Sequence, residues 1–286
     1  MRSLSITGVG LLLGALALPT FAEAADIPLG TEVSPAVAAA SREWTLTVGG
    51  YVMAQPDYFG SDDYEFAFQP IISISRADRL SRFTGFNDNP SIALFDTGIF
   101  EAGIVGKLDW KRDSSDNRAL KGLDDVDFAV EVGGYAQWYP VDWLRLRGEV
   151  RYGFGGFDGV VADLTADAIY HSDWWGGTTF SAGPRMTLTS SGFVDAYFGV
   201  SDEESIAAIS HGNFYAPYDP SGGIYSVGVG GQIQKDFGNG FRGSVFGEYR
   251  YLTGDAADSP IVIQNGDRNQ FQTGVSLSYT FFLGIQ

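Results

Sequence analysis

The chain has 286 residues, no cysteine, 18 Lys and Arg against 35 Asp and Glu, and a net charge of −17. That balance makes nucleic acid and anionic headgroups poor partners, because both require basic surface, and the missing thiols exclude disulfides, a lipid-modified cysteine and thiolate zinc sites. After the first two dozen positions no run reaches the roughly 18 apolar residues of a membrane-spanning helix, whereas 38 Gly and 14% aromatic residues suit interleaved strands.

Residues 1–24 read as a secretory leader: Arg2 supplies the positive start, Ile6 to Leu18 the apolar run, and Ala22-Glu23-Ala24 the small-x-small cleavage site. Losing Arg2 and Glu23 together leaves the charge at −17. Residues 25–42, with Ala, Pro and Ser but no periodicity, are expected to form a flexible periplasmic lead-in.

From 43 to 286 the hydropathy alternates with period 2, and the pattern predicts strands near 44–54, 66–75, 80–86, 91–96, 98–110, 126–139, 142–154, 159–170, 175–189, 223–235, 240–253 and 269–283. In the last of these, Phe271, Val275, Leu277, Tyr279 and Phe281 alternate with Gln270, Gln272, Ser276, Ser278 and Thr280. Elsewhere Leu144, Leu146, Val150 and Tyr152 oppose Arg145, Arg147, Glu149 and Arg151, while Val245, Tyr249 and Tyr251 oppose Arg242, Glu248 and Arg250. Phe193 to Val200 also alternates and is expected as an extended piece within the long 190–222 loop.

Alternation alone suits a soluble sandwich equally well. Three features favour a transmembrane, antiparallel up-and-down β-barrel. Most strands run about 10 or more residues, enough to cross a bilayer at a tilt. All six Trp (44, 110, 138, 143, 174 and 175) fall near strand ends, as an interfacial girdle requires. Connections alternate short (140–142, 237–239) with long (111–125, 254–268), as do periplasmic turns and outer loops. An all-β barrel of twelve strands is expected, or ten without the two short ones before Ile99.

Six motifs in order carry a family resemblance: Pro56-x-Tyr58-x-Gly60-Ser61-Asp62-Asp63-Tyr64; Gly159 to Asp163-Leu164 with Asp167; Gly183-Pro184-Arg185; Tyr197-Phe198-Gly199-Val200; Tyr218-x-Pro220-Ser221-Gly222-Gly223; and Gly254-Asp255-Ala256-Ala257-Asp258-Ser259-Pro260-Ile261-Val262. Together they resemble the MipA/OmpV family of outer-membrane proteins. The resemblance implies a barrel in the outer membrane of a Gram-negative bacterium and a scaffold linking a murein lytic transglycosylase to a peptidoglycan synthase. For other members it implies surface adhesion. No catalytic motif comes with it.

The residues themselves offer little for catalysis. His171 and His211 fall in a turn and a loop, and adjacency to Ser172 or Ser210 does not assemble a Ser-His-acid triad. Asp163 and Asp167, four apart on one strand, lie about 13 Å apart along its axis, too far to act as a carboxylate pair. Arg145, Arg147, Arg151, Arg185, Arg242 and Arg250 are their expected partners, with Glu149 and Glu248, in a charge network filling the lumen. Such a lining also suits a narrow passive channel for small solutes. The acidic loops lack a calcium-loop spacing, so neither metal nor cofactor is expected.

Overall fold

The computed structural model describes residues 44–76, 83–173 and 175–283. The expected leader, the lead-in and Trp174 lie outside the described residues. Eleven strands appear among these residues: β1 (Trp44–Pro56), β2 (Tyr64–Arg76), β3 (Ser91–Asp96), β4 (Phe100–Asp109), β5 (Ala129–Val141), β6 (Leu144–Gly155), β7 (Gly159–Ser172), β8 (Thr178–Ser190), β9 (Gly222–Gly238), β10 (Phe241–Leu252) and β11 (Asn269–Phe282). They form one curled sheet in the order β2-β1-β11-β10-β9-β8-β7-β6-β5-β4-β3. Every neighbouring pair is antiparallel.

The period-2 pattern decides which way each row points. Val48 and Val52 on β1, Phe66, Phe68, Ile72 and Ile74 on β2, Val130, Val132 and Trp138 on β5, and Val275, Leu277 and Phe281 on β11 are all exposed on the outer face. Each such side chain gains about 1.5–3 kcal/mol when removed from water, so this belt requires lipid around it. The intervening rows carry the polar and charged residues inward, where Glu131, Arg145, Arg151 and Asp167 are fully buried.

The expected strand at 80–86 is corrected where the structure describes it. Residues 83–90 leave the wall and run inside the bore. Arg145 lies over the Phe83 ring at 4.9 Å, Phe86 stacks on Phe246 with centroids 4.5 Å apart, and Gln232 donates to the Thr84 carbonyl at 2.7 Å. The segment rejoins the wall where the Gly106 N–H donates to the Pro90 carbonyl. Phe83 and Phe86 are three apart, out of step with a strand, and the polar run Asn87-Asp88-Asn89 finds partners inside that lipid cannot provide. This inner leg takes the place of one ascending strand. β2 and β3 therefore run in the same direction, and the sheet has eleven strands among the described residues, between the twelve and the ten expected.

Connections at one end are short (97–99, 142–143, 173–177, 239–240) and at the other mostly long (57–63, 110–128, 191–221, 253–268), as the sequence pattern predicts. The long ones fold into a cap that contains a 3-10 turn at Arg118–Leu120 and four helices: α1 (Ser191–Phe198), α2 (Asp202–Ile209), α3 (Gly254–Asp258) and α4 (Pro260–Asn265). The extended piece expected at 193–200 is thus mostly helical. Phe193, Val194, Tyr197 and Phe198 share one buried helical face, a spacing that imitates alternation only at Phe193 and Tyr197. They pack with Val262, Ala256 and Ala257 against Val126, Phe157, Val161, Tyr225 and Leu252 from the strands and the turns beside them, which seats the cap in the mouth of the barrel. A second apolar core joins Tyr58, Leu120, Leu123, Val200, Ala208, Tyr215 and Ile261.

Candidate functional site in the lumen

The inward rows of β4 to β8 and of β10, together with the inner leg, build one continuous ion network. At its start Lys107 bridges Asp109 at 2.7 Å and Glu131 at 3.2 Å. Arg151 then holds Glu131, Glu149 and Asp163, each at 2.6 Å. From Glu149 the network passes to Arg147 at 2.7 Å and on to Asp88 of the inner leg at 3.7 Å. Arg145 grips Asp88 with both terminal nitrogens, at 2.6 and 2.7 Å, and also reaches Asp167. Asp167 accepts from Arg185 at 2.6 Å, Arg185 faces Glu248 at 3.7 Å, and Glu248 pairs with Arg250. Six cations meet seven carboxylates, so the network is almost neutral although the chain is strongly acidic.

The register explains why these groups meet. Arg145 lies opposite Asp167, Glu149 opposite Asp163 and Lys107 opposite Glu131 on neighbouring strands, so each pair shares a face. Asp163 and Asp167 each bind different arginines and not one another. The inner leg adds Asn87 donating to Glu248 and Asn89 donating to Glu149 at 2.8 Å. Asp88 and its two asparagine neighbours are site residues that the strand pattern did not single out. A polar triplet ahead of Pro90 was the available signal. Arg242 lies apart from the network, nearer the short turns, with Asp236 at 3.4 Å.

Among the described residues the two histidines stand apart from this network. His171 is exposed at the end of β7 with Nδ1 2.9 Å from Thr179 Oγ1, and His211 is exposed beyond α2 at the opposite end. A cavity of about 510 Å³ is lined by Trp138, Leu146, Leu164, Pro184 and Met186 of the outward rows. It is a dent in the lipid-facing wall. Pro184 has no N–H to give β7, and Arg185 fills the gap by donating to the Ala166 carbonyl at 3.1 Å.

The remaining motif residues shape the cap. Gly60 takes φ +92°, and a Cβ there would meet Val262 at 2.7 Å, so the 57–63 turn needs glycine. Asn117 donates to Asp57 at 2.7 Å and Asp63 at 3.4 Å, Asp62 is exposed, and the Tyr64 hydroxyl accepts from the Phe271 N–H. Gly254, at φ +53°, opens α3. Asp255 accepts from the Ser221 N–H and hydroxyl, which hold its carboxyl below the usual range. Asp258 pairs with Arg268 at 3.0 Å. Ser259 caps α4 by accepting from the Ile261 N–H and donating to the Phe198 carbonyl, and Pro260 takes the first helical position, where its missing N–H is harmless. Asp125 is likewise held low, by Lys111 and then by Ser114.

No curated protein matches the chain. Solved structures similar in fold include three from Pseudomonas. An outer membrane channel from Pseudomonas putida F1 shares 10% identity over 84% of this chain and 96% of that one, with a TM-score of 0.41. The outer membrane protein OprG from Pseudomonas aeruginosa shares 10% identity over 84% and 97%, with a TM-score of 0.28. A FadL homologue from Pseudomonas aeruginosa shares 10% over 83% and 69%, with a TM-score of 0.33. The sequence model of the MltA-interacting protein MipA matches residues 48–281, spanning nearly the whole sheet and all of the cap. With that match over most of its length, the chain belongs to the MipA family.

Proposed function

We propose that this chain is a non-enzymatic binding or scaffolding barrel of the outer membrane of a Gram-negative bacterium, reached after removal of residues 1–24, with a bore closed to free passage. One observation carries the reading: the bore is obstructed twice, by the inner leg tied to Arg145, Glu149 and Glu248, and by the apolar cap seated in the opposite mouth. A lumen so filled contributes rigidity rather than a path. The family name supports the choice of partners, since an MltA-interacting protein implies a murein lytic transglycosylase and, through the resemblance, a peptidoglycan synthase. Such partners would meet the short-turn face, the periplasmic side by loop asymmetry.

The test has two arms. Tagged chain captured from detergent-solubilised envelopes is expected to retain a lytic transglycosylase, and purified chain in planar bilayers is expected to pass no steady current. Sustained conductance in the wild-type protein would overturn the closed-bore reading in favour of a narrow passive channel. Capture of no cell-wall enzyme would overturn the scaffold and leave surface adhesion as the role.

A further inference from the structure

The cap carries apolar side chains that neither lipid belt nor core explains. Ile206 and Ile209 on α2 are 71% and 54% exposed, Phe214 just beyond it 69%, and Ile263 on α4 61%. All four stand on connections, not on strands. Gln264 donates to the Phe214 carbonyl at 3.0 Å, which brings α4 and the end of α2 into one neighbourhood.

The orientation of α2 is the informative point. Its sequence, Asp-Glu-Glu-Ser-Ile-Ala-Ala-Ile, buries only Ala208 and turns both isoleucines outward. A helix placed for stability alone would do the reverse, since burying an isoleucine gains far more than burying an alanine. Its placement is nevertheless firmly specified. Ser201 and Glu204 form a reciprocal capping box, Asn213 donates to the carbonyls of Arg118 and Lys121, and Gly122 lets the backbone of Ala208 approach. The fold thus holds an apolar face in water.

Charge selects what can cover it. The cap connections 57–63, 110–128, 156–158, 191–221 and 253–268 hold 17 Asp and Glu against five Lys and Arg. Three of those five are already engaged within the cap: Lys111 with Asp125, Arg112 with the Tyr197 carbonyl and Arg268 with Asp258. A second copy of the cap, an anionic lipid surface and nucleic acid would each be repelled. We propose that this face docks a basic amphipathic polypeptide, one that lays an apolar side on Ile206, Ile209, Phe214 and Ile263 and sets Lys or Arg against the acidic rim at Asp202 and Glu203. The site lies at the end opposite the short turns and does not depend on the cell-wall reading.

The probe is a synthetic helix of about 18 residues with Leu on one face and Lys on the other, titrated onto the full chain in zwitterionic nanodiscs. Empty discs and a Glu-for-Lys version of the helix serve as comparisons. The Lys helix should bind the protein above the empty-disc level and the Glu helix should not. Serine at all four apolar positions should weaken binding on the order of 100-fold, with unchanged heat-modifiable migration on gels. Asp202→Asn with Glu203→Gln should weaken it less and flatten its salt dependence. Binding no greater than to empty discs, equal binding of the Glu helix, or indifference to the apolar substitutions would each overturn the proposal. If the fourfold variant failed to fold, the Asp202/Glu203 variant would decide, since a salt dependence equal to wild type refutes it.

Discussion

Arg145→Ala is the sharpest perturbation that the lumen offers. The side chain is 1% exposed, holds Asp88 through two bonds of 2.6 and 2.7 Å, reaches Asp167 at 3.1 Å and covers the Phe83 ring. Truncation leaves Asp88 with Arg147 at 3.7 Å as its remaining cation, while Asp167 keeps Arg185 at 2.6 Å. Removing one member of a buried pair costs about 3–5 kcal/mol. Because Asp167 stays paired, the lower end applies, and about 3 kcal/mol is on the order of a 100-fold change in the folded-to-unfolded ratio. Urea unfolding in lipid vesicles, followed by tryptophan fluorescence, measures this. The cycle with Asp88→Ala should give a coupling of about 1–3 kcal/mol. Freed from its anchor, the inner leg should also admit current in planar bilayers. An unchanged unfolding midpoint with coupling below about 0.5 kcal/mol would show that the network does not hold the leg.

Three further outcomes are expected. Phe198→Ala removes a fully buried ring from the cap core and should cost about 3–5 kcal/mol, read as protease cleavage within 191–221 while the strands stay protected. Gly122→Ala places a Cβ 2.5 Å from the Ala208 backbone at φ +93°, so α2 should lose its seat and cap cleavage should rise, with unfolding of the barrel unaffected. Acid should loosen the cap: Asp255 and Asp125 are both held below the ordinary 3.8, so their contribution is present above that pH and fades as pH falls through their lowered values. Asp255→Asn should flatten the dependence of cap proteolysis on pH below about 4, and an unaltered profile would remove Asp255 from that account.

Where one physical constraint governs a residue, the sequence reveals its place. The outward rows must be apolar and the inward rows polar, so Val275 to Phe281 and Arg145 to Arg151 declare both strand and face. Loop asymmetry and the apolar belt follow from the same constraint. The inner leg was illegible as such because Leu80, Phe83 and Phe86 satisfy a loose apolar pattern, and only the three-dimensional presence of Glu248, Glu149 and Arg145 gives Asn87, Asp88 and Asn89 their role. The α1 segment misled for a related reason, since residues four apart coincide in both helix and strand periods. Within the network the members borne by strands were legible, because charge on a lipid-bounded strand has nowhere else to go. Their pairing was not, as it depends on register across strands distant in sequence.

A closed barrel fixes its own diameter through strand number and shear. Here β2 and β3 run alike and are not paired with each other among the described residues. The inner leg adds spokes: Asn87 ties the bore to β10, Asp88 and Asn89 tie it to β6, and Thr84 ties it to β9. Girth then depends on polar bonds across the hollow as well as on the hoop of the wall. A hoop is stiff at every point of its rim, whereas a spoked wall yields wherever a spoke is cut. Single side chains at its centre therefore bear on the width of the eleven-stranded sheet.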